Sequence, residues 1–189
     1  IGKHTLQFHI TPWVHWPETM MTYEITEQLL FSADAFGTFG TTDGIYTDGG
    51  GKILPRYESE MRRYYSNIVG KYCGMVQKAL AKLKDLPVKA LCPVHGPVWR
   101  EEAGDVIGLY DKWSKTEADD AVVIIYGTMY NNTAQMADYR AGELWARGVK
   151  DIKVYDSSKT DLSYLVSEIW RCKYVVMGSC AYNAGMFPK

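Results

Sequence analysis

The last third of the chain alternates short β-prone runs with helix-like stretches, and this order restricts the fold more than any other feature. Strands are predicted at 121–126, 151–155 and 173–178, and helices at about 131–147 and 161–171. This βαβαβ order predicts a parallel sheet, because parallel neighbours need a crossover connection between them. In such a sheet, ligands bind beyond the carboxyl ends of the strands.

The first part of the chain has a different pattern. Alternating apolar residues at 5–10 and the run 28–33 predict two strands, and residues 88–92 predict a third. Apolar residues recur at three- and four-residue steps from near Arg56 to Leu83. This spacing predicts a long amphipathic helix.

Two stretches lack any hydrophobic period. Residues 38–54 are rich in Gly, Thr and Asp, which predicts a mobile loop. Polar residues replace the apolar pattern at 111–120, where we place a domain boundary. The expected domains are residues 1–117 and 118–189.

Composition argues against several classes of partner. The chain has 21 basic and 22 acidic residues and a net charge of −1 at pH 7. It shows no basic stripe, and no apolar run approaches the roughly 20 residues of a membrane span. We therefore expect neither nucleic acid nor a membrane as partner. The four cysteines form no CxxC pair, and no signal peptide is evident, which favours free thiols in the cytoplasm.

The segment after the first strand of the α/β part, YGTMYNNTAQM at 126–136, combines hydroxyls, amides and a glycine without Lys or Arg. A helix that begins there presents unpaired backbone N–H groups and the positive end of its dipole. A phosphate can therefore bind without a cation. The GxxxxGK[ST] and GxGxxG patterns are absent. On this loop alone, an ordinary βα turn capped by Asn or Thr is an equal alternative.

A second loop, GSCAYNAGMFP, follows the third strand and places Tyr182 and Asn183 where an aromatic face can stack on a flat ring. Both loops resemble those of flavodoxin-type FMN domains, although Cys180 and Ala181 stand where relatives often have Pro-Thr. By this resemblance, the phosphate loop is Thr128, Met129, Tyr130, Asn131, Asn132 and Thr133, and the second FMN-binding loop contains Ser179, Cys180, Ala181, Tyr182, Asn183 and Gly185.

Upstream, His15, Asp34 and His95 each follow a predicted strand. Imidazole and carboxylate are ligands for iron, zinc or manganese, and one carboxylate can bridge two cations. Taken singly, each residue is more often a capping or surface group. The motifs PWVHWPETM, LFSADAFG and CPVHGPVWR, in this order and spacing, resemble the metallo-β-lactamase-like domain of flavodiiron proteins, which a flavodoxin domain follows. The resemblance implies that His15 and His95 are terminal ligands and that Asp34 bridges two non-haem iron ions.

The implied fold is α/β: the C-terminal part of a metallo-β-lactamase-like αββα sandwich, followed by the first half of a flavodoxin-like parallel sheet. The implied activity is reduction of dioxygen to water or of nitric oxide to nitrous oxide, with FMN passing electrons to the diiron centre. The resemblance also implies rubredoxin or another electron donor. It further implies a head-to-tail homodimer that brings one subunit's flavin to the other's irons.

Four aromatic residues are candidates for positions near the expected ligands. The resemblance implies a catalytic tyrosine close to the irons, which we assign to Tyr64, although the helical spacing of Tyr64 and Tyr65 favours core packing by about two to one. We interpret Trp13 and Trp16 as a hydrophobic shell that fixes His15.

The sequence departs from the family's pattern in one respect, and two rival functions also fit it. The family's HxExDH ligand segment is absent from this sequence, and His4 and His9 lack acidic residues at the required offsets. We therefore expect parts of both domains to lie outside this chain, and expect the isolated polypeptide to aggregate or to require its missing segments. The rivals are a hydrolase of the metallo-β-lactamase superfamily and a non-enzymatic FMN electron-transfer module.

Overall fold

The computed structural model describes residues 1–42 and 52–187, which form two compact units, Ile1–Glu117 and Ala118–Lys189. The predicted loop at 38–54 falls largely on residues 43–51, outside the described residues. Within the described ranges, no helix has the length and apolar character needed to cross a membrane.

The first unit contains a four-stranded sheet. Its strands are β1 (Leu6–Ile10), β2 (Met20–Glu24), β3 (Leu29–Ala33) and β4 (Ala90–Pro93), in that spatial order. The β1–β2 and β2–β3 pairs are antiparallel, and the β3–β4 pair is parallel. The structure confirms the three predicted strands. Strand β2 was not predicted, because its sequence MMTYE shows no apolar and polar alternation.

The helices of the first unit are α1 (Leu54–Tyr64), α2 (Cys73–Leu83) and α3 (Ala103–Ser114). The single long helix predicted from Arg56 to Leu83 is wrong, since a π-helical turn and a 3₁₀ turn separate α1 from α2. A π turn is wider and a 3₁₀ turn is tighter than an α turn, so their effects on the apolar stripe largely cancel. The periodicity of the sequence therefore does not reveal the break.

Helix α3 occupies part of the stretch that we read as aperiodic. Its buried residues Val106, Tyr110 and Trp113 follow helical spacing, which the polar residues around them obscured. Its neighbour Glu102 fixes the start of α1, because its buried carboxylate accepts hydrogen bonds from the backbone N–H groups of Ile53 and Leu54, at 2.8 and 2.9 Å. These bonds satisfy amides that a helix start leaves unpaired.

The two faces of the first sheet differ. One face is buried and carries Met21, Tyr23, Leu30 and Leu91. The strand register places a second apolar set on the opposite face, where it is exposed: Phe8, Ile10, Met20 and Phe31. An open apolar face of this kind is what one sheet of a sandwich presents to another.

The second unit contains β5 (Asp119–Gly127), α4 (Asn132–Ala146), β6 (Ile152–Asp156), α5 (Leu162–Arg171) and β7 (Cys172–Ser179). The three strands form a parallel sheet in the order β6-β5-β7, which confirms the predicted βαβαβ arrangement. A short hairpin of β8 (Ala181–Tyr182) and β9 (Gly185–Met186) follows.

Alternate residues of β5 point to opposite faces of this sheet, as the strand period requires. Val122 and Ile124 pack with Ala137 of α4, whereas Val123 and Ile125 pack with Leu165 of α5. The central strand is therefore covered on both faces, which explains why its sequence is continuously apolar.

Candidate functional site

The structure brings the three predicted metal ligands together in the first unit. His15 Nε2 lies 3.5 Å from Asp34 Oδ2, and His95 Nε2 lies 3.4 Å from Asp34 Oδ1. The two imidazoles therefore face different oxygens of one carboxylate. The exposed fractions of the side chains are 25% for His15, 18% for Asp34 and 56% for His95, so small ions have access to them.

These separations suit ligands of a shared cation better than direct hydrogen bonds. N–H···O bonds usually measure about 2.7–3.2 Å. Two ligands that each lie about 2.1 Å from one tetrahedral ion stand about 3.4 Å apart. Each carboxylate oxygen and the imidazole nitrogen nearest to it are thus spaced as two ligands of one metal ion. Among the described residues, no group of three or more His, Cys, Asp or Glu side chains is arranged to hold a metal ion. Binding of a cation by His15, Asp34 and His95 therefore stays a prediction.

His15 lies in the loop between β1 and β2, five residues beyond the end of β1, and not at the strand tip that the sequence predicted. The loop is closed by its own hydrogen bonds. The Thr11 N–H donates to Thr19 O at 2.9 Å, and the Thr19 hydroxyl donates to Trp16 O at 2.8 Å. The side chain of Val14 is buried and anchors the loop.

The predicted aromatic shell of His15 is present only in part. The Trp16 ring lies beside the imidazole, with 5.8 Å between centroids. Trp13 stacks instead on Tyr72, at 5.5 Å. Trp16 is therefore the tryptophan that restricts the His15 ring.

Asp34 follows β3 directly, and His95 lies two residues beyond β4. Their segments pack against each other through Gly37. A Cβ atom at this position would stand 3.1 Å from Asp34 O and 3.3 Å from His95 O, so a larger residue would require these two backbone segments to move apart by a few tenths of an ångström. The Thr38 N–H also donates to His95 O at 3.4 Å.

The site opens into a cavity of about 490 Å³ that Tyr64 lines together with His15 and His95. The Tyr64 and His95 rings are 5.9 Å apart. Burial raises the pKa of the Tyr64 hydroxyl well above its usual value, and the charge of Asp34 raises it further. Tyr65 is fully buried, and its hydroxyl contacts Cys73 Sγ at 3.3 Å. The structure therefore distinguishes the two tyrosines, and the catalytic role of Tyr64 stays a prediction.

In the second unit, the predicted phosphate loop lies at the carboxyl end of β5. Asn131 is the N-cap of α4, with φ of 67°, and its side chain makes no capping hydrogen bond. The asparagine cap that would make this an ordinary turn is therefore not formed. The Thr128 hydroxyl oxygen is buried and has no hydrogen-bond partner in the described part of the chain. An unpaired hydroxyl beside an uncapped helix start fits an anion such as the phosphate of FMN.

The second predicted loop forms the β8–β9 hairpin. The Ser179 hydroxyl donates to Phe187 O at 2.6 Å and accepts from the Phe187 N–H at 2.9 Å, which closes the hairpin. The Cys180 N–H donates to Gly127 O at 3.3 Å and joins this hairpin to the phosphate loop. The hydroxyl of Ser179 is thus engaged within the protein.

The tip of the hairpin is exposed. Asn183 and Ala184 have φ of 48° and 61°. Tyr182 is half-exposed, and its ring is nearly perpendicular to that of Phe187. Beside the hairpin lies a cavity of about 410 Å³ that includes Ser179. The exposed ring of Tyr182 is not among the residues that line this cavity, but it is available for stacking. The ring contacts themselves stay predictions.

Sequence reasoning missed several lining residues. Ser157 and Thr160 line the cavity of the second unit. The sequence feature that could have identified them is the cluster of polar residues directly after the predicted strand that corresponds to β6. The cavity of the first unit has six further lining residues: Thr38, Phe39, Gly40, Ile68, Val94 and Gly96.

Comparison with known proteins identifies a family and several relatives. Residues 1–96 match the family described as ODP family beta lactamase. The anaerobic nitric oxide reductase flavorubredoxin of Pectobacterium carotovorum is 32% identical over 196 residues, which cover the whole chain and 37% of that protein.

Two solved structures have the same fold. The flavodiiron protein of Giardia intestinalis aligns with a TM-score of 0.92 and 27% identity, over 100% of this chain and 46% of its own. The rubredoxin oxygen:oxidoreductase of Desulfovibrio gigas aligns with a TM-score of 0.90 and 28% identity, over 98% and 47%. The chain thus spans less than half the length of each relative. These similarities confirm the expected fold class, part of a metallo-β-lactamase-like sandwich followed by part of a flavodoxin-like sheet.

Proposed function

Since this chain belongs to the ODP beta-lactamase family, we propose that it is part of a flavodiiron oxidoreductase that reduces dioxygen to water or nitric oxide to nitrous oxide. The observation that carries this proposal is the shared carboxylate, because Asp34 offers one oxygen to His15 and the other to His95. Two similar proteins are named as a nitric oxide reductase and an oxygen:oxidoreductase, which supports the same choice of substrates.

His15 and His95 would each hold one of two non-haem iron ions, and Asp34 would bridge them. Bound iron would supply electrons and open coordination positions for a diatomic substrate. Tyr64 lines the same cavity, and burial keeps its hydroxyl protonated, so that it would donate a hydrogen bond rather than a proton. Ile68 and Val94 contribute apolar lining, which favours entry of a small apolar gas.

The second unit would hold FMN, which passes electrons one or two at a time. Its phosphate would meet the unpaired hydroxyl of Thr128 and the first amides of α4. Its ring would lie near Tyr182. We further propose rubredoxin or another electron donor as partner, a head-to-tail homodimer, and a location in the cytoplasm.

The test uses the full-length protein that contains this chain. We expect two iron ions and one FMN per polypeptide, and anaerobic nitric oxide or dioxygen consumption when the flavin is reduced. Asp34→Asn keeps the shape of the side chain and removes its charge, so we expect loss of iron and of consumption with FMN retained. Full consumption by Asp34→Asn would refute the proposal. The matched control is Asp111→Asn, on α3, which should behave like wild type.

The same measurements separate the two rival functions. Zinc-dependent ester or lactam hydrolysis without bound flavin would identify a hydrolase. Bound FMN without iron, and no consumption of either gas, would identify an electron-transfer module. For the flavin site, Thr128→Val removes only the unpaired hydroxyl, and we expect weaker FMN binding, measured by quenching of flavin fluorescence.

A further inference from the structure

The turn that carries Asp34 has an unusual backbone. Ala33 and Phe36, on either side of the carboxylate, have φ of 53° and 66°, in the left-handed region that side chains other than glycine rarely adopt. Phe36 is also buried. Such residues persist only where their surroundings hold them in place. The orientation of Asp34 therefore depends on whatever holds this turn.

Two buried side chains hold it. The Ser32 hydroxyl donates to Ala35 O at 2.8 Å, and the Trp99 indole N–H donates to Phe36 O at 3.1 Å. Both donors are fully buried. Two successive carbonyl groups of the turn are thus fixed by side chains, one from Ser32 at the start of the turn and one from Trp99, far away in the sequence.

Trp99 is itself held by the strand that leads to His95. Its backbone N–H donates to Leu91 O at 2.9 Å, and the Leu91 N–H donates to Trp99 O at 2.8 Å. Leu91 belongs to β4, which ends just before His95. The tryptophan therefore joins the segment of one expected ligand to the turn of another.

We propose that Trp99, assisted by Ser32, is a positioning residue that sets the Asp34 carboxylate with one oxygen towards His15 and the other towards His95. Without the indole N–H, Phe36 O is a buried acceptor that has lost this donor, which costs free energy. Relaxation of the turn to an ordinary backbone conformation would lower that cost. That relaxation rotates Asp34. The inference rests on the proposed metal site.

The test measures cobalt(II) binding to the apoprotein by chelator competition, together with the visible spectrum of the bound ion. Trp99→Phe keeps an aromatic ring and removes the donor. We expect its cobalt affinity to fall about 10-fold or more, as is usual when a residue that orients a ligand is lost, and its spectrum to change.

The matched control is Trp113→Phe. Trp113 is buried, and its contacts in the described part of the chain are ring packing with Tyr65 and Tyr110. We expect lower stability in urea but wild-type cobalt affinity and spectrum. A Trp99→Phe protein that binds cobalt with the affinity and spectrum of wild type overturns the inference, whatever its stability.

Ser32→Ala provides a second variant, since it removes one small hydroxyl. We expect a roughly 3-fold or greater loss of cobalt affinity, and if Trp99→Phe does not fold, an unchanged Ser32→Ala protein overturns the inference. The outcomes also separate this inference from the proposed function. Absence of cobalt binding by wild type refutes both, whereas tight binding that neither variant changes refutes only the positioning role.

Discussion

Gly96 and Thr38 are packed so closely that a Cβ atom at Gly96 would overlap Thr38 Cγ2 and stand 3.2 Å from Thr38 N. Gly96 also has φ of +86°, which L side chains rarely adopt. It directly follows His95, and Thr38 lies on the turn of Asp34. The contact therefore sets the spacing of two expected ligands.

Gly96→Ala should destabilise the protein by about 1–3 kcal/mol. The new methyl group would overlap the Thr38 side chain, and the positive φ would strain the alanine backbone. We also expect weaker cobalt binding, since His95 must move. Urea unfolding and cobalt titration measure the two effects. Gly108→Ala, in the middle of α3 with no atom within 4 Å of the new Cβ, is the control and should gain up to about 1 kcal/mol. Equal stability and equal cobalt affinity of Gly96→Ala and Gly108→Ala would contradict the proposal that the contact between Gly96 and Thr38 positions His95.

Tyr64→Phe tests the predicted catalytic tyrosine. The rate of anaerobic nitric oxide consumption per bound iron should fall at least about 10-fold, because a hydrogen-bond donor on a residue that lines the cavity is lost. Iron content should stay at the wild-type level. Tyr65→Phe is the control, since its hydroxyl contacts Cys73 in the core and not the cavity. Wild-type turnover by Tyr64→Phe would assign this residue to core packing alone.

Arg171→Lys should destabilise the second unit by about 1–2 kcal/mol. The Arg171 guanidinium binds both oxygens of Asp151, at 2.5 and 3.1 Å, and Glu168 at 2.9 Å. A lysine ammonium does not reproduce this planar fork. Urea unfolding followed by circular dichroism measures the loss.

The control for this prediction is Arg147→Lys. Arg147 is largely exposed and lies 3.6 Å from Glu143 on the same helix, so we expect a change within about 0.5 kcal/mol. A loss at Arg171 no larger than at Arg147 would show that the network contributes little.

Glu24 should make stability depend on pH in the acid range. Burial raises the pKa of its carboxyl, but hydrogen bonds from Glu27, Thr26 and His4 outweigh this and lower the pKa from 4.5 to about 2. A lowered pKa in the folded state means that the stabilisation is complete above pH 4.5 and is lost as pH falls towards 2.

The measurement is the free energy of unfolding of wild type and of Glu24→Gln between pH 2 and pH 7. We expect the difference between them to be constant above about pH 5 and to shrink steadily below pH 4.5. Glu18→Gln, at an exposed position, should follow wild type throughout. A difference that stays the same down to pH 2 would contradict the lowered pKa.

Much of the fold was predictable because its signals are local. The apolar run of β5 and the helical stretches after it predict a parallel sheet whatever surrounds them. Strand β2 and the break between α1 and α2 were not predictable in this way. Strand β2 lacks alternation, and the break leaves the apolar stripe nearly continuous.

The candidate ligands were named from sequence, since histidine and aspartate after short strands suit metals and their motifs resemble a known family. Sequence alone named the residues proposed to carry this chemistry and most of the segments that form strands and helices. Only the tertiary structure decided that His15 and His95 face separate oxygens of Asp34. That arrangement depends on the strained turn held by Trp99 and on the contact at Gly96, which join residues far apart in the chain. Local propensity carries no information about such pairs, because their energies exist only once the segments are packed together.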